Sequence, residues 1–279
     1  MKIKTNSYAK INLTFDILGR FDDEYHEVNS LIQLINLHDE LFFEEDDEVN
    51  VICSEIPSKQ NLVYKTVMLL RDKYSISQGI RITINKNIPI GAGLGGGSSN
   101  AAITLLILNK MWDLNLNQDY LNELAEQIGM DVNFFIYGGT CLVSGRGEEV
   151  MKIDSSPSLE LLLVYPNFRI DSKQAYSSLD YNLVGKKQSS TCLLNDLEQG
   201  IFDISLLHND FEYSIFKQYP VLRIIKEQLL SYGATNALLS GSGSVVYGVF
   251  DDISKLENAI GLFPNYITIK TSTRSPNLL

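Results

Sequence analysis

The sequence predicts an α+β fold divided between two domains. Three observations carry this expectation. At 279 residues the chain exceeds the usual span of a single domain. Strand-like alternation at Ile11, Leu13, Phe15 and Ile17 gives way later to helical spacing, as at Val221, Ile224, Ile225 and Leu229, with no internal repeat. A short break at residues 154–158, containing Pro157 flanked by serines, separates two ordered patterns and reads as a linker, so domains are expected over 1–153 and 159–279.

Taken in order, residues 1–50 read as strands, closed by an acidic run at 44–48 that reads as a solvated turn. Residues 61–74 carry Leu62, Val63, Val67, Leu69 and Leu70 without Gly or Pro, consistent with a helix packed on that sheet. Ile80, Ile82 and Ile84 alternate with Arg81, Thr83 and Asn85, a half-buried strand that runs into a Gly-rich loop. Residues 100–112 are apolar nearly all round, which predicts a buried helix capped by Ser98 or Ser99. A helix over 118–128 is expected to end at Gly129 in a left-handed turn, with Asp131 just beyond it. Past the linker, residues 159–165 form the continuous apolar run of a central strand. Pro220 starts a helix that Gly233 ends. A strand around residues 241–244 (GSGS), a helix over 253–262 and a strand over 266–271 complete the second domain.

Hydrophobic residues make up 44% and charged residues 20%, ordinary usage for a globular protein. No apolar run reaches the roughly 18 residues that suggest a membrane span. The opening MKIKTNSYAKINL lacks a signal or transit pattern, so a cytoplasmic location is expected. Cys53, Cys141 and Cys192 form no CxxC pair and predict inert, buried thiols. His38 and His208 have no partners at metal-ligand spacing and read as structural. A net charge of −11 argues against nucleic acid as a partner. It leaves open a small phosphorylated ligand held by helix N-termini and a few local cations.

Such a site is suggested at residues 89–102, PIGAGLGGGSSNAA. Gly91, Gly93, Gly95, Gly96 and Gly97 let backbone N–H groups approach an anion closely, and the following helix adds its unsatisfied N–H groups and positive dipole end. The combination suits a triphosphate. Ser98 and Ser99 offer hydroxyls to phosphate or magnesium, and Lys86 a point charge. Gly91, Gly93 and Gly96 satisfy GxGxxG, but the acidic strand end of a dinucleotide fold is missing. The Lys-Ser/Thr of an NTPase P-loop and the HRD and DFG segments of protein kinases are missing too.

Taken with AKINL at 9–13, Tyr25-His26, DVNFF at 131–135, NDFE at 209–212 and LLSGSGSVVYGVF at 238–250, this loop resembles the GHMP kinases over nearly the whole chain. The resemblance implies their two-domain architecture: an N-terminal ribosomal-protein-S5-domain-2-like ATP-binding domain and a C-terminal ferredoxin-like domain, with the site between them. Within the superfamily the motifs look most like kinases that phosphorylate a cytidine diphospho-sugar alcohol for non-mevalonate isoprenoid synthesis. A mevalonate- or homoserine-type kinase and a non-catalytic ligand sensor are the alternatives. Implied roles are Asp131 as base with Lys10 as its partner, and Asn12, Tyr25 and His26 around the cytosine. ATP, with Mg2+, would lie along Pro89, Gly91, Gly93, Leu94, Gly95, Gly96, Gly97, Ser98 and Ser99, with Asn61 at the adenine. Tyr176 reads as a second stacking ring or a packed helix residue, and Arg146 as a diphosphate contact or a surface turn. On its own, Asp131 would read as an N-cap. Two residues depart from the family pattern: Glu24 replaces a Gly before Tyr25-His26, and Asn133 replaces a Pro after Asp131-Val132.

Overall fold

The structure, a computed structural model, describes residues 2–275; residue 1 and residues 276–279, the outer ends of the two expected domains, lie outside them. The chain opens with β1 (Lys2–Asn12), β2 (Thr14–Arg20), β3 (His26–Asp46) and β4 (Val49–Ile52). There follow α1 (Leu62–Tyr74), β5 (Gly79–Asn85), α2 (Gly96–Met111), α3 (Gln118–Ile128), α4 (Val132–Tyr137) and the hairpin of β6 (Thr140–Gly145) and β7 (Glu149–Ile153). The 21-residue β3 organises this sheet by pairing antiparallel with β1, β2, β5 and β6. Helix α1 starts at Asn61, whose side chain accepts the Val63 N–H at 3.0 Å. Helix α2 is buried on most of its surface, as an apolar helix between a sheet and other helices must be.

Beyond residues 154–158 the chain leaves the first sheet and enters a second. Its elements are β8 (Glu160–Tyr165), α5 (Ser172–Ser177), α6 (Ser189–Glu198), β9 (His208–Asn209), α7 (Phe211–Gln218), α8 (Pro220–Ser231), β10 (Asn236–Leu239), β11 (Val246–Phe250), α9 (Ile253–Ile260) and β12 (Ile267–Ser272). The antiparallel order β10-β11-β8-β12, with helices after β8 and after β11, is the ferredoxin-like arrangement. The two halves interlock. β9 pairs in parallel with β2, and the Arg274 N–H donates to the Leu34 carbonyl at 2.8 Å. Ala9, Ile11 and Leu13 pack with Ala92 and Leu94 of the Gly-rich loop and with Leu161, Leu163 and Tyr247 of the second sheet. That shared core fixes the loop between the two sheets.

Several expectations change. Helix α2 begins at Gly96, four residues early, because Gly95 at φ +68° stops the loop; its N-cap makes no side-chain bond, so neither Ser98 nor Ser99 caps it. Residues 241–244 form the turn between β10 and β11 rather than a strand, with Gly241 and Gly243 both at positive φ. Gly129 is extended, with φ 171°, so α3 does not end in a left-handed residue. The acidic run stays in β3 through Asp46, since Lys2 pairs with Glu44 and Arg81 with Asp46. Of the cysteines, Cys141 is buried, which pushes its thiol up to about 12, whereas Cys53 is only partly buried and Cys192 is exposed. Among the described residues, no helix is long and apolar enough to cross a membrane.

Candidate active site

The Gly-rich loop is shaped by contacts on both sides. Gly91, Gly93 and Gly95 take φ +65°, +81° and +68°, conformations that side chains disfavour. At Gly93 the backbone lies against the 240–245 turn so closely that a Cβ would come within 1.9 Å of the Ser240 carbonyl oxygen. The Ser240 hydroxyl donates to the Gly93 carbonyl at 2.9 Å and the Val245 N–H to that of Ala92 at 3.1 Å. Pro89 is half-buried and Leu94 is buried, while Gly97 is exposed at the start of α2. With no residue of α2 preceding them, the first N–H groups of this helix have no intrahelical acceptor and can face a phosphate.

NDFE, which has no individual role from sequence, builds the supporting turn. Asn209 donates to the Leu239 and Gly241 carbonyls at 2.8 and 2.7 Å, and Glu212 accepts the Leu239 N–H at 2.9 Å. Asp210 accepts from the Ile17 and Gly185 N–H groups and pairs with His208.

Lys10 enters the site from β1, where its N–H donates to the Leu94 carbonyl at 3.0 Å. Its side chain is buried, with Nζ donating to Asn12 Oδ1 at 2.6 Å. Burial lowers the Lys10 pKa and the charge of Asp131 pulls it back up. Asp131 sits at the N-cap position of α4 without a side-chain capping bond. Its carboxylate is thus available to the site rather than spent on the helix. Asp131 also raises the Tyr176 hydroxyl above its ordinary value, second to the effect of burial. Lys10 and Tyr176 thus both feel the charge of Asp131, and the Phe135 ring and the Lys10 stem both lie against Gly95.

The structure redirects two expected contacts. Asn12 is fully buried: Oδ1 accepts from Lys10 and Nδ2 donates to Ser30 at 2.8 Å, so it orients the lysine. Lys86 forms a buried ion pair with Asp39, whose carboxylate also accepts the Asn87 and Ile88 N–H groups at 2.8 Å. Its charge is thereby matched at the loop's entrance. Ser99 accepts a bond from Ser7 at 2.7 Å, whereas Ser98 is half-buried. Asn61 keeps Nδ2 buried without a partner in the structure, a donor suited to a ring nitrogen or carbonyl.

At the other end His26 stacks on Tyr176, with centroids 4.5 Å apart and planes 28° apart. The Tyr181 hydroxyl lies 2.6 Å from His26 Nε2, and the two rings are parallel within 4° with centroids 6.1 Å apart. Burial, then Arg20, lowers the His26 pKa and favours the neutral ring. Tyr181 escaped sequence reading because residues 177–182, SSLDYN, carry no periodic pattern. Tyr25 is half exposed and does not face Tyr176; the Arg146 guanidinium lies over its ring at 5.3 Å and over Phe21 at 5.0 Å, and pairs with Asp23 at 2.7 Å.

The departures from the family pattern have local consequences. Asn133 is buried in the first turn of α4, with Nδ2 3.4 Å from the Glu148 carbonyl and Oδ1 without a partner in the structure. Glu24 adopts φ +72°, the conformation a glycine takes freely. Its exposed ion pair with Arg20 contributes little. Glu24→Gly is therefore expected to stabilise the protein by about 0.5–1 kcal/mol, read as a rise in melting temperature with turnover unchanged.

Residues 61–139 match the GHMP kinases N terminal domain and residues 194–262 the GHMP kinases C terminal domain. The 4-diphosphocytidyl-2-C-methyl-D-erythritol kinase of Caldanaerobacter subterraneus subsp. tengcongensis is 38% identical, with 100% of both chains covered. That of Thermodesulfovibrio yellowstonii is 40% identical over 93% of this chain and 94% of its own. A crystal structure of 4-(cytidine 5'-diphospho)-2C-methyl-D-erythritol kinase superposes with TM-score 0.84 at 27% identity, covering 97% of this chain and 99% of the other. Homoserine kinase from Cytophaga hutchinsonii shares the fold, with TM-score 0.75 at 18% identity over 98% and 95% of the two chains. The chain belongs to the GHMP kinases, in the 4-diphosphocytidyl-2-C-methyl-D-erythritol kinase family.

Proposed function

We propose that this enzyme transfers the γ-phosphoryl group of ATP to the 2-hydroxyl of 4-diphosphocytidyl-2-C-methyl-D-erythritol, giving the 2-phosphate and ADP in the non-mevalonate route to isoprenoid precursors. The observation that carries this is the buried Lys10 coupled to Asp131 beside a loop of positive-φ glycines. Residues 1–153 would supply the donor site and 159–279 the wall that completes it. ATP phosphates lie along Gly91 to Gly97 and the start of α2, whose N–H groups stabilise charge on the transferring phosphoryl. Asn61 meets the adenine.

Lys10, oriented by Asn12, stabilises the attacking oxygen. That oxygen bonds to the γ-phosphorus, the bond to the β–γ bridging oxygen breaks, and the hydroxyl proton passes late to Asp131. The paired Tyr176, His26 and Tyr181 rings, with Tyr25 and Arg146 nearby, receive the cytidine diphosphate end. Magnesium fits the hard oxygen donor of the Ser98 hydroxyl, and when bound with ATP it would neutralise phosphate charge. The proposed setting is the cytoplasm.

An ADP-release assay over 4-diphosphocytidyl-2-C-methyl-D-erythritol, mevalonate and homoserine tests the assignment. Turnover is expected with the first, at kcat/KM roughly 10⁴-fold above the others because unpaired polar groups reject the wrong acceptor. Turnover of mevalonate or homoserine instead would sink the reading.

A further inference from the structure

The segment that follows β8 crosses the phosphate loop at its first glycine. The Ser244 hydroxyl donates to the Phe168 carbonyl, the Ile170 N–H donates to the Gly91 carbonyl at 3.4 Å, and the Ser172 and Ser242 hydroxyls meet at 3.1 Å. Arg169 is therefore held at both neighbours. Its stem lies flat across Gly91: Cβ, Cγ and Cδ are each 3.1 Å from the place a Cβ on Gly91 would occupy. The residue is exposed, and among the described residues its guanidinium has no ion pair, hydrogen bond or ring contact.

Two other cations beside the loop are engaged. Lys86 is matched by Asp39, and Lys10 is bonded to Asn12 and coupled to Asp131. In a chain of net charge −11 the nucleotide substrates, both polyanions, approach a surface that repels them overall. An unpaired guanidinium fixed at the mouth of the loop answers that, since its planar fork matches two phosphate oxygens at once.

We propose that Arg169 is a substrate-binding residue that contacts the phosphate oxygens of a bound nucleotide at the entrance of the loop. The inference rests on reading this loop as the nucleotide site. A binding test needs no turnover, so its failure and that of the kinase assignment are separable.

Arg169→Met keeps a stem over Gly91 and removes the charge, and Arg169→Lys restores a charge without the fork. Calorimetric titration of the wild type and both variants would use two probes, ATP with magnesium and, separately, CDP. Arg169→Met is expected to bind one of the two about tenfold more weakly, equivalent to about 1.4 kcal/mol. Arg169→Lys should recover part of the loss, and melting temperatures should stay unchanged. Weakening confined to ATP assigns the contact to the donor; weakening confined to CDP assigns it to the diphosphate of the acceptor. Equal affinity of Arg169→Met and wild type for both probes would overturn the proposal whatever the activity assay gives.

Discussion

Asp131→Ala lowers turnover by roughly 10²–10⁴-fold, the range for loss of a group that handles a proton in the transition state. ATP affinity stays nearly intact, because in the proposed binding mode the phosphates meet backbone groups of the loop glycines and the start of α2, which do not involve Asp131. The protein still folds: the Asp131 side chain makes no capping bond, so its removal takes nothing from α4. A second consequence has a fixed sign. Burial lowers the Lys10 pKa and Asp131 is the charge that raises it, so removing Asp131 must lower it further. NMR of the Lys10 Cε resonance reads this directly, and an unchanged titration with unchanged turnover would remove both assigned roles.

Gly93→Ala is expected to damage the fold and the site together. The new Cβ would lie 1.9 Å from the Ser240 carbonyl oxygen, and that partner is backbone held by the Ser240–Val245 turn, so it cannot swing aside as a side-chain tip would. The residue would also be held at φ +81°. Left-handed strain of about 1–2 kcal/mol adds to overpacking of about 1–3 kcal/mol, a total on the order of 2–5 kcal/mol. Undocking the loop from the 240–245 turn removes the path by which Asn209 and Glu212 support it. Chemical denaturation should show a lower midpoint, and residual folded protein should bind ATP poorly. Gly97→Ala is the contrasting control, since the nearest atom to its Cβ would be Leu62 Cδ1 at an ordinary 3.7 Å.

The parts of the fold legible in the sequence are those with long periodic signals or constrained residues. The strands of the first fifty residues, the apolar α2 and the Pro220 helix all announce themselves by spacing. Helices α5, α6 and α7 do not, because at 6, 10 and 8 residues they show few turns of pattern and take their stability from tertiary packing, α5 and α7 in the core of the second sheet and α6 through Leu193 and Leu197 in the core shared by both halves. Gly-Ser-Gly-Ser at 241–244 suits a turn or a glycine-containing strand equally from composition; positive φ at Gly241 and Gly243 selects the turn. In the site, the motifs singled out Lys10, Asp131 and the loop. They could not show that Lys86 faces Asp39, because a partner 47 residues away leaves no local trace, whereas Asn12, two residues from Lys10 on one strand face, is within local reach but is assigned by the motif to the cytosine. Tyr181 and Arg169 lie on irregular segments whose placement depends on tertiary contacts alone.

Phosphorus NMR of the product formed by the wild-type enzyme from ATP and 4-diphosphocytidyl-2-C-methyl-D-erythritol tests the central claim most directly. One new phosphomonoester is expected, on the 2-oxygen, appearing in step with ADP and absent with Asp131→Ala. A spectrum in which the cytidine compound is unchanged while mevalonate or homoserine acquires the phosphate would contradict it.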